Sequence, residues 1–110
     1  MEWQDHYTYR VSWSAEDQEH VATCAEFPSM SWLAADPGAA LAGLRKLIRE
    51  TVVDMVANGE APPVPLAEQQ FSGKFMVRVP PQLHRRLVIE AKEAKVSLNR
   101  HVSHKLAEVD

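Results

Sequence analysis

The segment Lys74–Asp110 constrains the fold more than any other part of the chain. Phe75, Val77 and Val79 alternate with Lys74, Met76 and Arg78, which is the pattern of a strand with one apolar and one polar face. Pro80-Pro81 ends the strand and opens a helix, since proline is tolerated in the first helical turn. From Gln82 to about Lys95, Leu83, Leu87, Val88, Ala91 and Ala94 recur at helical steps. Ser97 is a helix N-cap, followed by Leu98, Val102 and Leu106 along one face. One strand and two short helices cannot bury their own apolar faces, and a lone strand leaves two unpaired edges. The expected solution is a twofold dimer in which two strands pair antiparallel above a shared helical core. Lys74, Met76 and Arg78 then point outward from a two-stranded ribbon, a shape that fits the major groove of DNA.

Charge separates this segment from the rest. Residues 1–73 carry four Lys/Arg against eleven acids, 4 − 11 = −7, and residues 74–110 carry eight against four, 8 − 4 = +4. A basic end on an acidic body predicts two different partners, one of them a polyanion. The single cysteine, Cys24, excludes an internal disulfide and reads as a small buried apolar residue. No apolar run is long enough to span a membrane and no secretory signal is evident, so the expected location is cytoplasmic.

Ahead of the basic segment, His6–Ser14 and Glu19–Phe27 alternate as strands joined by a polar loop at Ala15–Gln18, and Ser29–Ala35 reads as a third, shorter strand. The spacing predicts a three-stranded meander with Trp13 in its core. Asp36-Pro37 is a helix start, Leu41, Leu44, Ile48, Val52 and Met55 keep helical spacing, and Asn58-Gly59 is a stop. Val64–Leu66, within APPVPLA, is expected as a short edge strand. Glu68–Gly73 reads as a linker. The predicted fold class is therefore α+β, with a β-β-β-α-β domain over 1–67, a linker over 68–73 and a DNA-binding and dimerisation domain over 74–110.

Two resemblances accompany this reading. The strand, the Pro-Pro, the amphipathic helix and the Ser97-Leu98-Asn99 start of the second helix resemble a ribbon-helix-helix DNA-binding domain of the Arc/MetJ type. That resemblance implies base contacts from Lys74, Met76 and Arg78 and a phosphate clamp at the backbone of Ser97, Leu98 and Asn99. The YRVSW meander, ATCAEFPSMSWLAADP, the long helix and the PPVP segment resemble the HicB antitoxin family. Its N-terminal domain is a partial RNase H-like fold. One local departure is Pro28-Ser29-Met30, where the family usually carries glycine and acidic residues. The combined resemblance implies an antitoxin that binds a HicA-type mRNA-cleaving toxin and represses its own operon at operator DNA. The implied assembly is a homodimer through the ribbon-helix-helix segment, with pairing into a tetramer left open. The alternative is a stand-alone repressor whose N-terminal domain senses a ligand or oligomerises.

The residues offer little for catalysis. Asp5, Asp17, Asp36, Glu50 and Asp54 are the acids to consider for a metal-dependent nuclease, but Asp36 is better read as a cap and Asp17 as a loop residue. Glu50 and Asp54 share a helix face, as solvated acids commonly do. His101 and His104 lack a third ligand nearby and read as surface residues, and His20 with Cys24 lacks a CxxC partner. With no phosphate-binding glycine loop, the expectation is no enzyme, no catalytic residue, no cofactor and no metal. Lys74 and Arg78 also admit a plainer role, guarding an exposed edge strand against aggregation.

Overall fold

Asp36 opens the longest element. Its carboxylate accepts a 2.9 Å hydrogen bond from the Ala39 N–H, Pro37 takes the first helical position, and helix α1 runs over Pro37–Ala57. The helix closes in a Schellman turn. Asn58 is the C-cap, Gly59 adopts φ +76°, and the Gly59 and Glu60 N–H groups reach the carbonyls of Val56 and Met55 at 3.1 and 2.8 Å. Both ends lie where the local signals put them.

The computed structural model describes residues 3–108; Glu2 and Asp110, which enter the charge count, lie outside the described residues. The chain divides into two compact units, Met1–Phe71 and Ser72–Asp110. In the first unit, strands β1 (Tyr9–Ser14), β2 (Glu19–Cys24) and β3 (Ser31–Ala34) form an antiparallel sheet in that order. Tyr9 pairs with Cys24, Val11 with Ala22, Trp13 with His20, Ala22 with Trp32 and His20 with Ala34, so these residues share one face. α1 covers that face. Ala40, Leu44 and Ile48, spaced by four, are fully buried and meet Tyr7, Ala22, Cys24 and Phe27, with Tyr9 and Val11 packed beside them. Burying a side chain the size of Leu44 or Ile48 stabilises the fold by about 1.5–3 kcal/mol.

Three expectations change. β1 starts at Tyr9, β2 stops at Cys24 and β3 is only Ser31–Ala34. The fourth strand of the expected β-β-β-α-β order is absent among the described residues, and Leu66–Glu68 is instead a 3-10 turn. Pro62, Pro63 and Pro65 have no N–H to give a ladder. The segment is held by side chains instead. The Tyr7 hydroxyl donates to the Pro63 carbonyl at 2.8 Å, the Leu66 N–H donates to the Glu26 carboxylate at 2.9 Å, and His6 pairs with Glu68. Trp13, expected in the core, is 53% exposed. It stands near the end of the sheet beside the Ala15–Gln18 turn, and its ring meets His20 edge-on, at 5.1 Å between centroids.

Glu26 deserves its place in the fold by chemistry. Its carboxylate also accepts from the Thr8 N–H at 2.9 Å and the Thr8 hydroxyl at 3.1 Å. Partial burial opposes its ionisation, but the Leu66 and Thr8 N–H donors outweigh burial and hold the carboxyl below its ordinary value.

In the second unit, α2 spans Pro81–Glu93 and α3 spans Leu98–Ala107. α2 ends two residues earlier than its apolar period suggested. The Val96 N–H reaches the Ala91 carbonyl at 3.0 Å, the Lys95 N–H reaches Lys92 at 3.1 Å, and Lys95 takes φ +58°. This is a second Schellman turn, made with a lysine where glycine would be unstrained.

Candidate nucleic-acid interface

α3 begins at a side-chain cap: the Ser97 Oγ accepts from the Arg100 N–H at 3.1 Å. Ser97 and Asn99 are exposed and Leu98 is half-buried. The first N–H groups of a helix have no intrahelical acceptor, so this end of α3 presents donors to solvent. Helix N-termini of this kind suit phosphate.

Behind this end, α2 and α3 pack around Ala91, which is 3% exposed. An ion pair joins them. The Glu90 carboxylate accepts from His101 Nε2 at 2.9 Å and lies 3.6 Å from Lys105 Nζ. The His101 hydrogen bond, more than any other influence, lowers the Glu90 carboxyl below its ordinary value. His101 is therefore not the surface residue that its spacing suggested; its side chain is 17% exposed. Sequence offered no signal for this pair, because the partners lie on different helices.

Lys74–Val79 forms no strand within the single chain. A ladder needs a partner, and none lies in this unit among the described residues. Its start is nonetheless fixed. Gly73 takes φ +83°, and the Ser72 hydroxyl accepts from the Lys74 N–H at 3.1 Å and donates to the Lys74 carbonyl at 3.4 Å. Beyond this turn the side chains alternate in type, and every one is exposed: Phe75 77%, Met76 82% and Val77 61%. Phe75, Val77 and Val79 border a groove of about 1180 Å3 completed by Leu83, Leu87, Val102 and Leu106. Lys74, Arg78, Leu98 and Asn99 border the same groove, whereas Met76 and Ser97 lie outside it.

The acids weighed for catalysis are dispersed. Asp36 caps α1, Asp17 accepts from the Ser14 hydroxyl at 2.9 Å, Asp5 pairs with Arg45, and Glu50 and Asp54 are exposed on α1. Cys24 is buried, as its size and hydrophobicity suggested. Glu26, expected within the second strand, lies just beyond β2 and accepts from Thr8 and Leu66. No helix among the described residues is long and apolar enough to cross a membrane.

Residues 57–106 match the model of the HicB family. The matched stretch runs from the end of α1 through most of the second unit; it includes the PPVP segment and leaves out the meander. No curated protein and no solved structure matches the chain. Over residues 57–106 the chain is similar to the HicB family.

Proposed function

We propose that this chain is a HicB-type antitoxin with two binding surfaces and no catalytic reaction, cofactor or metal of its own. Its second unit pairs with a second copy as a ribbon-helix-helix dimer and represses its own operon. The observation that carries this reading is the unburied apolar face of Phe75, Val77 and Val79, in strict alternation with Lys74, Met76 and Arg78, beside an open groove. A second copy would cover that apolar face and supply the missing ladder partner.

On the outer face of such a ribbon, Lys74 and Arg78 suit the acceptors of guanine and Met76 suits the thymine methyl. Ser97, Leu98 and Asn99 would hold a backbone phosphate at the start of α3. Residues 1–73, with their charge of 4 − 11 = −7, suit a small basic HicA-type ribonuclease, whose catalytic histidine and RNA-binding face they would cover. The pair would act in the cytoplasm.

Intact-complex mass spectrometry on the protein purified from its native locus, with neighbouring genes present, tests the reading. The expected result is a small basic protein at fixed stoichiometry. Dimers or tetramers alone, even at low salt, would replace it with a stand-alone repressor.

A further inference from the structure

β3 is a short edge strand with no charged or proline guard of its own. It pairs with β2 on one side, and no strand lies on its other side among the described residues. Exposed edges are commonly guarded by lysine, proline or a bulge. Met30–Ala35 reads MSWLAA and contains neither charge nor proline. Ser31, Trp32 and Leu33 are all exposed.

The edge also carries an aromatic side chain that is held in place. A Cβ on Gly43 would stand 2.1–2.4 Å from atoms of the Trp32 indole, so the ring lies directly against the helix backbone at this glycine. Yet Trp32 remains 42% exposed. A glycine inside a helix is unfavourable relative to alanine. Here it seats an indole that is only partly buried, the arrangement of a rigid anchor presented to something else.

The surroundings select what that is. Gly43 on Trp32 and Thr51 near Met30 place the 43–47–51 stripe of α1 above β3. Glu50 and Asp54 are exposed on α1, Glu50 next to Thr51 and Asp54 about a turn beyond it, and Asp36, two residues after β3, caps the helix. Lys46 and Arg49 are exposed cations on the same helix.

We propose that the free edge of β3 receives an extended, cationic segment of the partner protein as a fourth strand, anchored on Trp32. Backbone groups of β3 supply the ladder, the Trp32 ring faces a lysine or arginine, and Glu50 and Asp54 pair with the cations on the helix side. A second copy of this chain is the poorer occupant, because it would bring Asp36, Glu50 and Asp54 against their own counterparts. This assignment rests on the reading that residues 1–73 bind a basic protein, and it specifies where.

Amide hydrogen exchange on the full chain tests it, with two probes: the co-purifying basic protein, and a short peptide of alternating arginine and valine with a glutamate–valine control. Binding of either cationic probe should slow exchange across Ser31–Ala34 by about tenfold or more, and the acidic peptide should not. Trp32→Ala should weaken binding at least about 30-fold. Leu33→Lys, a change at an exposed position, should weaken it about tenfold, while Leu33→Glu should preserve it. Unchanged exchange in β3 with the basic protein bound overturns the docking site and leaves the antitoxin reading standing. Protection by the arginine peptide where no basic protein co-purifies keeps the docking site and removes the toxin. Self-association abolished by Leu33→Lys assigns the edge to a second copy and refutes the proposal.

Discussion

Gly43→Ala should destabilise the first unit, against the ordinary preference of a helix. Alanine is favoured over glycine in a helix interior by about 1 kcal/mol. At this position the new methyl would meet the Trp32 indole Nε1, Cδ1 and Cε2 at 2.1, 2.3 and 2.4 Å. No real side chain tolerates such approach, so the ring must swing outward or the strand must shift. Overpacking of this kind costs about 1–3 kcal/mol. The net change is a loss of up to about 2 kcal/mol after the helical gain is subtracted. In a Trp32→Ala background the obstacle is gone, and Gly43→Ala should stabilise by about 1 kcal/mol. The two backgrounds thus differ by about 1–3 kcal/mol, a coupling expected of residues in contact. Urea denaturation of the four proteins, followed by far-ultraviolet circular dichroism, measures it. If Gly43→Ala stabilises both backgrounds equally, the indole does not rest on Gly43 and the anchor argument fails with it.

Tyrosine ionisation gives an alkaline test, because Tyr7 and Tyr9 are the only tyrosines in the chain. Burial raises both, and the Tyr9 hydroxyl, which donates to the Gln4 carbonyl at 2.7 Å, is pushed up to about 12. A raised value favours the neutral phenol in the folded state, so this stability is full below the ordinary value of 10.0 and fades as pH rises through about 12. Absorbance near 295 nm should show neither ring half-ionised at the ordinary value; a free-tyrosine curve would contradict the packing. Ser97→Ala should cost about 1 kcal/mol of stability by removing the α3 cap, while Ser97→Asp should keep the cap and lose operator affinity through charge repulsion. Equal DNA binding by wild type and Ser97→Asp would separate this helix end from the phosphate. Lys74→Ala and Arg78→Ala should each lose about 1–3 kcal/mol at the operator without loss of dimer, as read by fluorescence anisotropy. Lys95→Gly should stabilise the second unit by about 1 kcal/mol in thermal unfolding, since it relieves the left-handed residue of the α2 turn.

Elements whose signals are local were legible in the sequence. α1 has an acidic cap, a proline, a steady period and an Asn-Gly stop within its own length, and Ser97 announces α3 in the same way. Val64–Leu66 misled because its residues suit a strand edge while Pro65 within it and Pro62-Pro63 before it remove ladder donors. Trp13 misled for a different reason. Strand alternation tells which face a residue occupies, but not whether the covering helix reaches that row of the sheet. The Glu90–His101 pair and the ties of Glu26 were invisible, since each joins positions whose closeness exists only after folding. Lys95 gave no sign of its left-handed backbone because lysine carries none. For the candidate site, alternation singled out Lys74, Met76 and Arg78 as candidates, whereas the Ser72 turn that fixes where their segment begins came only from the structure.

Cys24 offers a clock for motion in the first unit. The thiol is 2% exposed on β2, burial raises its pKa, and it is the only sulfhydryl in the chain. Thiol reagents react with the exposed thiolate, so the native protein should be modified only as often as the sheet and α1 part. One labelling rate then reports one opening event, with no tag or mutation needed. Measured with and without a bound partner, that rate converts the grip on this unit directly into a lifetime.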